Sequence, residues 1–576
     1  MSKEEYLFGG RRMSAIPVCL SLFATFQSAI SLLGLPAEVY SYGSMFVYSM
    51  VAISLAALLA VESVVPLLYP LKLTSVYQYL ALRYKSKFVS KFGATIGILT
   101  TLSYMTMALV SPALALETTA DIPLWLSIVV IGGVGTVYTT LGGIKSVIWT
   151  DVIQAFFMFI GVFTVLIKGF IDVGVVNVWN INKATGRLVL DEVSLDPRTR
   201  HTVWNLSFGY IVFVYAGHFT QSSVQRILST KSIQSAKRVH LFTVPLTVIY
   251  YTSLLMTGLV IAAYFHISRC DPLTAGYIKN SNQMMPYFIL ITLRFLPGFA
   301  GLYISSVFSG ALSTLSSGIN SLAANTVDIF LPRCLRGKSD FAITSTVKII
   351  VCLYGCASIG LAYMAKDFQG PVSQINYTII GASVGAQLGL FMLGAIFPQA
   401  NHIGAIVGSC AGLIVSAWQA FGALKFGHPT KPLPRPPADR CVPENTTMLS
   451  TPTTFFPLST STEYSLQVNE TEQWMPSEVF KPLTTTADNL ILSSSTGSLG
   501  DENRGFSMYD LSYIWNPVIG VFVTVLVGLI TSVVIDTFMS KKTRPEAKYI
   551  FPFCRRFWYS GRDVVNTEMA TSEFDQ

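Results

Sequence analysis

Between Ser305 and Thr326 the chain carries nine hydroxyl side chains and no charge, in the run SSVFSGALSTLSSGINSLAANT. On a helix Ser306, Ser309, Ser313, Ser317 and Asn320 recur at steps of three and four, so they share one face. Hydrocarbon cannot satisfy hydroxyls, and that face must therefore meet protein, water or an ion. Two chemistries fit it. Small residues such as Gly310, Ala311, Ser313 and Ser317 allow close helix packing. Alternatively, oxygens around Ser313 and Thr314 coordinate a hard monovalent cation, which takes oxygen ligands without a cage of charge. Asp151, in IKSVIWTDVIQAFF, is the second candidate, a turn or two inside an apolar run from Lys145. A carboxylate at that depth is expensive and reads as part of the path by which a cation leaves. The simpler alternative is a carboxylate paired with a basic residue at the inner boundary.

The elements that must position these residues are membrane helices. Of 576 residues 51% are hydrophobic and only 12% charged. Apolar runs recur along most of the chain, each long enough for the roughly 20 residues a span needs. This is a polytopic α-helical membrane protein. Its net charge of +8 sits in loops and argues orientation rather than nucleic-acid binding. Eight cysteines without a CxxC pair, and no histidine cluster, point to neither a metal site nor a disulfide framework. No Ser/His/Asp or Cys/His constellation and no phosphate-binding glycine loop is present, so an enzyme reading has no support. Energy would come from an ion gradient rather than ATP.

In order, residues 1–15 form a polar cytoplasmic N-terminus and 16–424 a core of eleven spans. Residues 425–508, rich in Thr, Ser and Pro, read as an outer loop with sequons at Asn445 and Asn469. A last span covers 509–540, and 541–576 is a cytoplasmic tail. Basic clusters such as Lys72, Arg83, Lys85, Lys87 and Lys91, or Arg226, Lys231, Lys237 and Arg238, then all fall inside, and both termini are cytoplasmic. Met285 to Pro297 reads as a short helix on the outer face. Cys270 and Cys441 are both placed outside, where thiols tend to pair, and a disulfide between them is expected. Glu38 and Glu117 sit at outer ends where solvation is easy and receive no role. His218 reads as a hydrogen-bonded core histidine rather than a proton relay.

Two spans look interrupted. The first weakens around Ser28, Ser31, Gly34 and Pro36, and the sixth carries Ala216-Gly217-His218 beside Tyr215. Five spans apart, they occupy equivalent places in two halves of opposite orientation. Such a pair of broken helices points to a transporter site at a repeat interface.

The segments EEYLFGGRRM, PVCLSLFATFQSAISLLGLPAEVYSYG, LTSVYQYLALRY, YTTLGGIKSVIWTDVIQ, QSSVQR and FSGALSTLSSGINSLAANTVDIF resemble the sodium/solute symporter family. The resemblance is greatest to its multivitamin, monocarboxylate and iodide transporter branch. It implies an all-α, leucine-transporter-like five-plus-five inverted repeat with flanking helices, about twelve spans in all. It also implies a sodium site made by backbone oxygens of Ala24, Gln27 and Gly310 and the hydroxyls of Ser313 and Thr314, with Asp151 a functional carboxylate on the ion path. Phe26, Gln27, Ser31 and Tyr215 would line the solute cavity.

The breaks offer no Lys or Arg, so an anion would be held by exposed N–H groups, a half-helix dipole and Gln27 or Ser31. Dipole ends supply only about half a charge each, which suits one carboxylate and not two. The expectation is a plasma-membrane symporter that co-transports Na+ with a small monovalent organic anion, a monocarboxylate or a carboxylate vitamin, by alternating access. Its partners would be sodium, the anion and the lipid bilayer, with no nucleic acid and no obligate protein partner. An inorganic-anion or neutral-solute symporter is the nearest alternative. A sodium-permeable channel or non-transporting sensor on the same fold is the alternative from another class.

Overall fold

The computed structural model describes residues 3–294, 298–365, 372–428, 430–441, 507–539 and 545–559. Among these residues it is helical, with one isolated two-residue bridge between Met13 and Thr230. Both sequons, at Asn445 and Asn469, lie outside the described residues.

The first span is split into α1 (Ala15–Phe26) and α2 (Ala29–Tyr42), bent by 54°. The break falls at Gln27 and Ser28, whose extended backbone stops the hydrogen-bond ladder. Ser28 then caps the new helix, its Oγ accepting from Ile30 N at 3.2 Å. Gly34 and Pro36, expected to weaken the span, both lie inside α2, so the extended pair rather than the helix breakers makes the bend. α3 (Ser49–Glu62) and α4 (Lys87–Ala120) follow.

Leu124–Val173 is a continuous helical stretch of 50 residues, labelled α5. At about 1.5 Å per residue it is more than twice the ~30 Å thickness of a bilayer, so it holds two spans. They meet at Gly143, whose φ of 63° lies in the left-handed region. A Cβ there would stand 2.9 Å from the Tyr6 carbonyl oxygen, so neither the turn nor the contact admits a side chain. The sixth span is also broken, into α6 (Tyr210–His218) and α7 (Gln221–Leu228), with Thr220 as the N-cap of the second part.

α8 (Ile233–Ser268), the short helix Met284–Thr292 and α9 (Phe299–Asn325), which is the hydroxyl-rich helix, come next. α10 (Asp340–Ala365), α11 (Val372–Ile396), α12 (His402–Phe426) and α13 (Asn516–Met539) complete the set. Nine helices among the described residues are individually long and apolar enough to cross a membrane, ten with the bent first pair. The second half of α5 makes an eleventh span and the broken α6/α7 a twelfth. The halves α1–α5 and α6–α11 each open with a broken helix, and α12 and α13 flank them.

One end of the bundle is strapped by residues 430–441. Leu433 N donates to Ser41 O at 2.8 Å, and the buried Arg187 donates to Pro434 O at 2.7 Å. Cys270 and Cys441, with Cα atoms 4.8 Å apart, are joined in a disulfide. Beside it the Arg269 guanidinium, 2.8 Å from Asp439, holds that carboxyl below the usual carboxylate range. Asn205 and Asn376, which also begin sequons, are both buried.

Candidate functional site

Breaking a helix frees its last carbonyls, since no N–H four residues on can reach them. At the end of α1 Phe23 O keeps a partner, the N–H of Gln27. The Gln27 side chain is 2% exposed, and its Oε1 is a buried acceptor without a partner among the described residues. Directly behind the break runs α9, and Gly310 is what lets it come so close. A Cβ at Gly310 would stand 2.8 Å from Ala29 N and 3.0 Å from Ser28 C. Gly310 is thus brought against the break that follows the last turn of α1.

Ser313 and Thr314 lie one turn further along α9. Thr314 Oγ1 donates to Gly310 O at 3.0 Å, and Ser313 Oγ donates to Asp151 Oδ1 at 2.8 Å. A hydroxyl that gives its proton to one partner keeps its lone pairs for another, so both oxygens remain able to face a cation. A hard monovalent cation would suit this set of carbonyl and hydroxyl oxygens with little formal charge.

Asp151 is fully buried. Besides Ser313 it accepts from Ser21 Oγ at 2.6 Å and from Arg226 Nη2 at 2.8 Å. Arg226, expected in a basic inner loop, is instead 0% exposed within α7. It also donates to Ser21 Oγ at 2.8 Å, Ser222 O at 2.9 Å and Ser317 Oγ at 2.5 Å. The reason is electrostatic: a carboxylate removed from water on every side needs an opposite charge, and guanidinium can fork to several acceptors at once. α1, α5, α7 and α9 therefore share one polar knot beside the break, and Asp151 enters it as the partner of an arginine rather than as an open ion path.

Next to the knot is a cavity of ≈ 210 Å³ at the meeting of the two broken spans. Phe26, Gln27 and Ser31 line it as expected, with Tyr104, Gly217, His218, His240 and Thr314. Tyr215 does not. It turns away on its helix, its hydroxyl 2.6 Å from Ser63 Oγ, and its neighbours Val214 and Ala216 face the cavity. Among the described residues, no Lys, Arg, Asp or Glu lines the cavity.

From the breaks the cavity extends to Tyr77, Gln221, Asn325 and Gln387, on the side where α1 begins and α9 ends. On the opposite side lies a second buried ion pair. Arg200 Nη2 stands 2.7 Å from Glu38 Oε1, with side chains 8% and 1% exposed. Arg200 also donates to Gln374 Oε1 at 3.1 Å and lies 3.7 Å over the Tyr42 ring. Glu38, which the sequence placed at a solvated end, is instead buried in this pair. The pairing spans 162 residues of sequence, and no local signal carries it.

Residues 6–412 match the sodium:solute symporter family. The chain is 33% identical to the sodium-coupled monocarboxylate transporter 2 of Danio rerio, covering 96% of this chain and 83% of that one. It is 34% identical to the sodium-dependent multivitamin transporter of Oryctolagus cuniculus, over 95% and 80%. The fold is that of a solved Na+-coupled sialic acid symporter, in a substrate-bound outward-open state, with a TM-score of 0.68 at 22% identity over 92% of each chain. With its inverted repeat and two broken spans, this chain is a multi-pass membrane transporter, not an enzyme, and belongs to the sodium:solute symporter family.

Proposed function

We propose that the protein imports a small monocarboxylate together with Na+ across the plasma membrane, by alternating access. The observation that carries this reading is the cavity at the two breaks. It is polar at Gln27, Ser31 and Thr314, free of fixed charge, and about 210 Å³ in volume. That is below the roughly 300–1,000 Å³ typical of sites for drug-sized ligands and favours a short acid over a vitamin. Ala24, Gln27, Gly310, Ser313 and Thr314 hold the sodium ion, and Phe26, Gln27 and Ser31 the solute. An ion and an anion bound this close assist each other by linkage in both directions. Sodium-driven uptake of labelled short monocarboxylates, their amides and dicarboxylates tests the reading. Equal uptake of the amide, or uptake indifferent to sodium, would favour a neutral-solute carrier or another activity.

Ser313→Ala and Thr314→Ala are each expected to raise the half-saturating sodium concentration about tenfold, the effect of about 1.4 kcal/mol, with normal surface expression. Close packing alone would leave sodium dependence unchanged, because alanine keeps the residue small.

In this reading the N-terminus and the tail 541–576 are cytoplasmic and the loop 425–508 is outside, glycosylated at Asn445 and Asn469. Epitope tags at both ends should stay hidden until cells are permeabilised. Glycosidase should shift the mobility of the wild type but not of a variant lacking both asparagines. A tag exposed on intact cells would overturn the orientation.

A further inference from the structure

The cavity wall holds one pair of side chains that the reading above leaves without work. His218 ends α6 at the break, and His240 projects from α8. Their rings stand 4.7 Å apart between centroids, edge to face, and Phe26 packs against His218 at 5.2 Å. Both residues line the cavity, at 3% and 1% exposure. Nδ1 of His218 and both ring nitrogens of His240 are buried without a hydrogen-bond partner among the described residues. A buried polar group left unpaired costs free energy, and three such nitrogens in one wall are too many for a packing role. The expectation that His218 is a satisfied core histidine is therefore not met.

Among the described residues of this wall, imidazole is the one side-chain group that a bound anion beside it could make cationic. The other titratable side chains lining the cavity are the phenols Tyr77, Tyr104, Tyr210, Tyr251 and Tyr377. On the elements packed around the pair, Cys19 of α1 meets Thr243 at 3.5 Å. Glu62 of α3 pairs with Lys237 of α8 at 3.4 Å, Arg226 of α7 pairs with Asp151, and Glu38 of α2 pairs with Arg200. Arg238 lies at the entry end of α8, and α11 carries no charge.

Resting on the monocarboxylate reading, we propose that His218 and His240 form the subsite for the substrate carboxylate and receive it together with one proton shared between the rings. A lone carboxylate in this wall lacks a countercharge, and a lone imidazolium is equally uncompensated. Together they are neutral, and charge-assisted N–H groups bind both carboxylate oxygens. The anion-bound state then holds one more proton than the free state, so affinity rises as pH falls.

The test uses the full chain in proteoliposomes with an inward sodium gradient and labelled L-lactate, which stays ionised throughout, after subtraction of protein-free vesicles. Between pH 7.5 and 5.5 the wild-type KM should fall, by up to about tenfold per unit. His218→Gln and His240→Gln should flatten that slope and raise KM at pH 5.5 about tenfold or more, with little change in the maximal rate. Sodium-dependent protection from thermal unfolding, measured without lactate, should persist in both variants and establishes that they fold. If either fails to fold, the corresponding asparagine variant is measured in its place. A wild-type KM independent of pH, or variants that keep its slope, would overturn the subsite while leaving sodium-driven lactate transport intact. A wild type that sodium protects but that takes up no lactate at either pH would overturn the monocarboxylate reading itself.

Discussion

Arg226→Gln should abolish sodium-driven uptake and destabilise the folded protein by about 3–5 kcal/mol, the cost of leaving a buried carboxylate without its countercharge. Asp151 would keep only the hydroxyls of Ser21 and Ser313, at 2.6 and 2.8 Å. Those neutral donors cannot replace a guanidinium at zero exposure. Adding Asp151→Asn should recover much of the stability, because the two residues are in contact and their effects are not additive. It should not recover sodium activation. Asp151 fixes the direction of the Ser313 proton, and hence where the lone pairs of that oxygen point. The amide can rotate to offer either a donor or an acceptor. Thermal unfolding of the purified protein in detergent, beside uptake in proteoliposomes, separates the two roles. A single variant Arg226→Gln with wild-type unfolding would show that the knot is not charged in the way described. A double variant with normal sodium dependence would show that it does not serve the ion site.

The sequence made the spans legible because apolar length is a local property, and hydrocarbon permits almost no other backbone than a helix. It also placed the break in the sixth span at Ala216-Gly217-His218, just before the point where α6 gives way to α7. In the first span the expected stretch, from Ser28 to Pro36, begins at the true break but runs past it. Gly34 and Pro36 mark weakness by propensity, yet tertiary packing carries the helix through both and bends it at Gln27 and Ser28 instead. The site residues divide along the same line. Gln27, Ser31 and Thr314 reach the cavity because motif resemblance preserves helix face. Tyr215, one position from a lining residue, does not, because a step of one on a helix turns the side chain by about 100°. Arg226, Glu38 and His240 were missed for a shared reason. Each is polar near a span boundary, where solvation is the simpler expectation, and its burial depends on partners 75, 162 and 22 residues away. Only the fold brings those partners together.

Glu38→Ala should shift the protein toward a state open on the side where Glu38 and Arg200 meet. In the structure the pair is held from several directions. Arg200 reaches Gln374 of α11, its carbonyl accepts from Ser512 Oγ at 2.7 Å, and His201 Nε2 stands 2.9 Å from the Tyr513 hydroxyl. α2, α11 and the lead-in to α13 are thus fastened through one carboxylate. Removing it leaves Arg200 with neutral acceptors and the faces of Tyr42 and Tyr513, and the closed state loses what an opened, hydrated state need not provide. A differential loss of about 3 kcal/mol would move the balance between the two states by roughly a hundredfold. Ser31, which lines the cavity, gives the readout. Ser31→Cys should react slowly with a membrane-impermeant thiol reagent added outside intact cells, and much faster when Glu38→Ala is also present. The native cysteines near the strap, Cys270 and Cys441, are already bonded to each other and add no background. Saturating substrate should slow the reaction in both backgrounds, because position 31 is covered when the cavity is filled. If Glu38→Ala lowers surface expression yet leaves the labelling rate of the introduced thiol at its starting value, the ion pair holds the fold and does not gate it. If labelling accelerates while uptake falls, the protein has been held in one half of its cycle, since import also needs the seal to close again behind the solute.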